Sequence, residues 1–139
     1  MGMGQYLFVY GTLMAADRGR LGQAQRERLG REAHGLGPAT TFGRLFGLGR
    51  YPGLVASDDA ADIVHGEVFE LADPDESLRW LDVYEGIRPG KRGRAEYARI
   101  ERPVVLAAGR ELIAFVYVYR RDVANARLLQ GGRWLDRDS

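Results

Sequence analysis

Asp73-Pro74-Asp75-Glu76-Ser77-Leu78-Arg79-Trp80-Leu81-Asp82-Val83-Tyr84-Glu85-Gly86 is the stretch on which the fold turns. Asp73 suits a helix N-cap. Pro74 suits the first helical position, where its missing N–H would be unpaired in any case, and Glu76 at the third completes a capping box. Leu78 and Leu81 then turn inward, and Gly86 supplies the C′ residue at which such a helix stops. One helix is predicted here, and the segments on either side of it read as strands.

Upstream, His65-Gly66-Glu67-Val68-Phe69-Glu70-Leu71 alternates polar and apolar residues, which predicts a half-buried strand. Gln5-Tyr6-Leu7-Phe8-Val9-Tyr10 is aromatic and β-branched and ends at Gly11, which predicts a buried one. Between them Gly35, Gly37, Gly43, Gly47, Gly49 and Gly53 punctuate apolar residues, the pattern of bent strands and tight turns. Residues 17–32 are polar and Arg-rich, with Leu21, Ala24, Arg28 and Leu29 at roughly helical spacing, as in a short surface helix. Downstream, a basic loop (Arg88, Lys91, Arg92, Arg94) leads into strands Tyr97 to Leu106 and Glu111 to Tyr119, joined by the hairpin Ala107-Ala108-Gly109-Arg110. The tail offers Leu128, Leu129, Trp134 and Leu135 to dock on the body. Strands at both ends around a helix do not make a βαβ alternation. The expected class is therefore α+β with a small, strongly bent mixed sheet, in a single domain over 1–139.

Composition narrows the function classes. The 139 residues are 45% hydrophobic and 28% charged, which excludes a disordered tail or a fibrous repeat. With no cysteine, neither a disulfide framework nor a thiolate nucleophile exists. No stretch approaches the ~18 apolar residues of a membrane helix, and no charged-then-apolar leader pattern is read, so a cytoplasmic protein without a membrane partner is expected. The net charge of +1 does not call for a polyanion. Only Lys91 among the 20 basic residues is a lysine; an Arg-, Gly- and Ala-rich chain of this kind reflects a GC-rich coding genome. No basic helix or aromatic-interleaved stripe points to nucleic acid.

Among residues that could carry chemistry, His34 and His65 share no spacing with carboxylates that would make a metal site. Neither a G-x-S-x-G elbow nor a Walker-type loop occurs, and Gly47-Leu48-Gly49-Arg50-Tyr51-Pro52 lacks the last glycine of a dinucleotide fingerprint. Glu85 stands out. It lies seven residues after Leu78 and four after Leu81, so a continuing helix places it on their apolar face. Desolvation and the negative end of the helix would raise its pKa, as a general acid/base near neutral pH requires. The alternative is a helix ending at Asp82 and an exposed loop carboxylate at Glu85. Tyr10-Gly11-Thr12-Leu13 is the second candidate, a buried strand opening into a turn whose successive N–H groups can hold a carboxylate or oxyanion. An ordinary strand-ending turn is the alternative there. Tyr51-Pro52-Gly53 is a turn that lines a pocket or staples a loop, and Tyr97, Tyr117 and Tyr119 alternate along strands as core or wall.

Taken together, these residues resemble the γ-glutamylcyclotransferase-like family, in its short bacterial branch. The resemblance rests on Val9-Tyr10-Gly11-Thr12-Leu13, on Leu81-Asp82-Val83-Tyr84-Glu85-Gly86 as the family's Asp-x-x-Glu-Gly, and on Tyr51-Pro52-Gly53, Val64-His65-Gly66-Glu67-Val68-Phe69 and Glu96-Tyr97-Ala98-Arg99. The ending Trp134-Leu135-Asp136-Arg137 is similar to that branch as well. The resemblance implies a small mixed barrel flanked by helices that cyclises a γ-glutamyl amide to 5-oxoproline and releases the amine. It implies Glu85 as the catalytic acid/base and Tyr10, Gly11, Thr12, Leu13 and Tyr51 around the substrate, with no metal or organic cofactor. Tyr119 is the candidate for a tyrosine that longer members set against the substrate, and the 86–96 loop for leaving-group specificity. A non-catalytic module that binds or senses a small molecule in the same cavity is the rival reading. The edge strands of so small a sheet could support a homodimer.

Overall fold

Five strands close on themselves. The computed structural model describes residues 5–87 and 96–137. Their order is β1 (Gln5–Val9), α1 (Gln23–Glu32), β2 (Ala33–Gly47), β3 (Pro52–Ala56), β4 (Ile63–Leu71), α2 (Pro74–Tyr84), β5 (Tyr97–Leu106), β6 (Glu111–Tyr119), β7 (Arg127–Leu128) and a 3₁₀ turn at Trp134–Asp136. Hydrogen-bonded neighbours run β2-β4-β1-β6-β5, and β5 returns to β2 through Ala39↔Leu106 and Thr40↔Val105. This makes a five-stranded barrel, with β3 and β7 attached to the far half of β2. The β1–β6 pair is parallel and the other barrel pairs are antiparallel, so the sheet is mixed, as the sequence predicts.

Small residues make the closure sterically feasible. β2, 15 residues long, serves four neighbours, and it bends where its register slips between Gly35 and Gly37, with Gly37 at a left-handed φ of 93°. At Gly66 an added Cβ would lie 2.2 Å from the Val9 carbonyl oxygen, so β1 and β4 approach closely only with glycine there. Inside sit Phe8 of β1, Val64 and Val68 of β4, Val104 of β5 and Val116 of β6, all nearly or fully buried, while Leu7, on the opposite face of β1, is buried as well. Burial of each such side chain contributes about 1.5–3 kcal/mol.

Helix α2 follows its caps. The Asp73 carboxylate accepts the Glu76 N–H at 3.3 Å, while Pro74 occupies the first turn. The other half of the expected capping box is replaced. The Glu76 carboxylate accepts Arg79 at 2.9 Å and Arg28 at 3.4 Å, because cations are within its reach. At the far end, Gly86 at φ 81° lets its N–H reach Val83 O and the Ile87 N–H reach Asp82 O, the paired bonds of a Schellman motif. α1 docks on α2 through Glu32, whose carboxylate accepts Arg28 Nε (2.6 Å), Ser77 Oγ (2.8 Å) and Trp80 Nε1 (2.9 Å).

Two expectations, on α1 and on the tail, need correction. α1 begins at Gln23 after a left-handed Gly22, so Leu21 precedes the helix and Ala24 is exposed; Leu29 alone is its buried residue. In the tail, Leu129 and Trp134 are buried but Leu128 and Leu135 are 43% and 47% exposed. Consecutive residues of an extended edge strand face opposite sides, so Leu128 and Leu129 cannot both dock. The basic loop residues Arg88, Lys91, Arg92 and Arg94 lie outside the described residues. No helix among the described residues is long and apolar enough to cross a membrane.

Candidate active site

Where β1 ends, the chain turns beside the β2–β3 hairpin and the C-terminal end of α2, and these elements enclose a cavity of about 400 Å³. The sequence candidates Tyr10, Gly11, Thr12, Leu13, Tyr51 and Glu85 all line it. So do Leu48, Tyr84, Glu96, Tyr97, Tyr117 and Tyr119. The two histidines lie elsewhere, on β2 and β4. Among the described residues no three acidic or histidine side chains converge in a metal-ligating cluster.

Glu85 is placed by the way α2 stops. The helix ends at Tyr84 and Glu85 is its C-cap, with φ −82° and ψ 4° and its own N–H still bonded to Leu81 O at 2.9 Å. This falls between the two readings of the sequence: the residue is past the helix, yet it continues the buried face of Leu78 and Leu81 and borders the cavity. Its surface is partly open to that cavity, but its carboxyl is deep enough that burial, reinforced by the nearby Asp82 carboxylate, raises its pKa to about 7. Burial likewise pushes the Tyr10 and Tyr97 hydroxyls above their ordinary range, with the Glu85 charge adding to it. The phenols therefore stay protonated at neutral pH and act as hydrogen-bond groups.

The Gly11–Leu13 turn lines the same cavity, clamped from three directions. Thr12 Oγ1 shares a 3.0 Å hydrogen bond with the Tyr84 hydroxyl. The Arg26 guanidinium donates to Thr12 O at 3.1 Å and to Gly19 O. Farther along, the Glu67 carboxylate of β4 accepts the N–H groups of Ala15 (2.6 Å) and Ala16 (3.2 Å). The turn closes with Met14 N–H on Gly11 O, and no acceptor among the described residues takes the N–H groups of Gly11, Thr12 or Leu13. Glycine is required at position 11 for clearance: a Cβ would sit 2.7 Å from Pro52 Cγ, whereas its φ is not in the left-handed region.

Tyrosines form the wall. Tyr10 Oη donates to Tyr117 O at 2.5 Å and accepts Leu54 N–H at 3.3 Å. Tyr97 Oη donates to Pro52 O at 2.8 Å and its ring meets Tyr119 edge-on, with centroids 5.4 Å apart. Tyr117 Oη donates to Asp82 at 2.6 Å. Tyr51, 46% exposed, stands at the rim. Tyr84, Asp82 and Arg99 entered the sequence reading only as members of quoted motifs, with no contact or role assigned to them. Their partners are 72 and 17 residues distant, and no local spacing announces such contacts.

A family model described as gamma-glutamyl cyclotransferase, AIG2-like, matches residues 7–136. The gamma-glutamylcyclotransferase family protein YtfP of Escherichia coli K12 is 37% identical over 97 residues, covering 68% of this chain and 70% of that protein. The solution structure of E. coli ytfP resembles this fold with a TM-score of 0.62 at 33% identity, over 97% of this chain and 100% of that one. An AIG2-like protein of Mus musculus shares the fold with a TM-score of 0.67 at 21% identity, over 94% and 95% of the two chains. YkqA of Bacillus subtilis matches 96% of this chain with a TM-score of 0.65 at 25% identity, but the match spans 40% of its own length.

Proposed function

The chain belongs to the γ-glutamyl cyclotransferase, AIG2-like family, and from that premise we propose that it cyclises a γ-glutamyl amide to 5-oxoproline and releases the free amine. One observation carries the reading: a carboxyl raised to about 7, on the wall of a cavity that is also lined by a turn with unclaimed N–H groups. A group with that pKa is half ionised at neutral pH, so it takes a proton and returns it with little penalty either way.

In the proposed reaction the Gly11–Leu13 N–H groups hold the substrate's α-carboxylate or the developing oxyanion, and Tyr10 and Tyr51 bound the folded glutamyl chain. Glu85 removes a proton from the α-ammonium. The freed amine attacks its own γ-carbonyl carbon, forming the ring C–N bond. As the tetrahedral intermediate collapses, the bond to the leaving nitrogen breaks and Glu85 delivers its proton there. The ring nitrogen sheds a second proton, which the freed amine takes up, so atoms and charge balance. Ring closure of this kind is intramolecular, and well-oriented examples reach effective molarities of ~10⁵ M or more. The cavity's main task is to hold the folded conformer.

The test is 5-oxoproline release from γ-glutamyl-alanine, γ-glutamyl-ε-lysine, a γ-glutamyl amine and glutathione. Product from one or more members supports the enzyme and names the leaving group. Silence across the panel, with the same compounds raising thermal stability, supports a binding or sensing module in its place.

A further inference from the structure

The end of α2 is tied to the barrel at one side chain. Asp82 Oδ1 accepts Tyr117 Oη at 2.6 Å and Arg99 Nε at 3.0 Å, and its Oδ2 accepts Arg99 Nη2 at 3.2 Å. The guanidinium is thus bidentate, the strong form of such a pair, and it also lies over the Phe115 ring at 5.2 Å. Tyr117, held at its hydroxyl by Asp82, is held at its carbonyl by Tyr10. A continuous chain of bonds therefore runs from Leu54 N–H through Tyr10 and Tyr117 to Asp82 and Arg99. Asp82 lies three residues before Glu85, on the same side of the last turn, and its carbonyl accepts the Ile87 N–H that closes the helix.

The groups facing Glu85 from other elements are mostly neutral. Tyr10 just past β1, Tyr97 of β5 and Tyr117 of β6 present phenols, as does Tyr84 beside it, and Tyr51 and Tyr119 also line the cavity. The charged neighbours among the described residues are Asp82, with Arg99 behind it, and Glu96 on the cavity wall.

We propose that Asp82 and Arg99 are positioning residues for Glu85: gripped by Arg99 and Tyr117, the Asp82 carboxylate anchors the last turn of α2 and sets the field in which Glu85 exchanges its proton. This rests on reading Glu85 as the acid/base group. Arg99 is the counterweight. It cancels part of the Asp82 charge, so the two members of one ion pair act on Glu85 with opposite sign. A purely mechanical clamp has no such property, because removing either partner breaks the same contact.

The experiment is a ¹³C-carboxyl NMR titration of the full chain, with the Glu85 resonance identified by its loss in Glu85→Gln. Asp82→Asn keeps the shape and removes the charge, so the Glu85 midpoint falls, by up to about one pH unit because burial is the larger cause of its elevation. Arg99→Gln leaves Asp82 uncompensated and the midpoint rises; Arg99→Lys returns it toward wild type. Should Asp82→Asn fail to fold, the Arg99→Gln and Arg99→Lys pair still reads the sign. Shifts in the same direction for Asp82→Asn and Arg99→Gln, or an unmoved midpoint in Arg99→Gln, overturn the proposal. The titration needs no turnover, so it stands apart from the proposed reaction. Where 5-oxoproline is formed, the acid limb of kcat/KM moves with the midpoint.

Discussion

Gly22→Ala reaches the site through two of its lining residues. Gly22 precedes α1 at φ 75°, and a Cβ there would lie 2.7 Å from the Tyr84 hydroxyl and 2.8 Å from Thr12 Oγ1. These two atoms make the hydrogen bond that joins the Gly11–Leu13 turn to the helix end bearing Glu85. The left-handed backbone costs an L-residue about 1–2 kcal/mol, and forcing a methyl into the filled space adds about 1–3 kcal/mol. The substitution should therefore destabilise by roughly 2–5 kcal/mol in urea unfolding and weaken substrate binding along with it. Tyr84→Phe alone removes one hydrogen bond, worth about 0.5–1.5 kcal/mol. It also removes the nearer of the two clashing atoms. The double variant should thus be more stable than the sum of the singles by about 1 kcal/mol, well outside the ~0.5 kcal/mol scatter of independent sites. Additive single effects would show that the methyl is not meeting the Tyr84 hydroxyl, and the link between this loop and the site would fail.

Other outcomes follow from the same coordinates. Gly66→Ala places a methyl on the Val9 carbonyl of a neighbouring strand, where no side-chain rotation relieves it, so soluble folded protein should be largely lost on expression. Tyr10→Phe strands the Tyr117 carbonyl and the Leu54 N–H in the core; chemical unfolding should show a loss of about 2 kcal/mol or more. Although burial opposes its ionisation, Glu32 is brought down to about 2 by hydrogen bonds from Arg28, Trp80 and Ser77. The unfolded chain therefore binds more protons below pH 4.5, and this contribution, present above that pH, is lost as pH falls toward 2; Glu32→Gln should flatten the acid side of the stability curve. Glu85 acts in the opposite sense. Its folded carboxyl holds a proton up to about 7, so stability declines as pH rises from 4.5 through 7, and Glu85→Gln should stabilise the fold above pH 7 by up to about 3 kcal/mol and hardly at all at pH 4.

Local chemistry made much of the fold legible. The hairpin residues Ala107–Arg110 bound two strands at Leu106 and Glu111, where the structure has them, because turn geometry depends on a few adjacent residues. Asp73, Pro74 and Gly86 did the same for α2. Barrel closure was legible only through the family resemblance, not from local residues. It depends on Thr40 meeting Val105, a pairing between chain segments far apart whose register nothing local encodes. In the site, Glu85 could be found because its spacing from Leu78 and Leu81 is a helical quantity. The cause of its raised pKa could be read only in part: burial was foreseen, but the Asp82 charge depends on where that side chain turns. Thr12–Tyr84 and Asp82–Arg99 come from packing of the turn and of β5 against the end of α2, which only the assembled barrel defines.

The most direct test compares wild type with Glu85→Gln on whichever γ-glutamyl compound yields 5-oxoproline, measuring single-turnover rate and binding by calorimetry on the same preparations. Removal of a general acid/base should slow ring closure by 10²–10⁴-fold while the dissociation constant stays within a few-fold. A variant that still forms 5-oxoproline at near wild-type rate would contradict the assignment of Glu85.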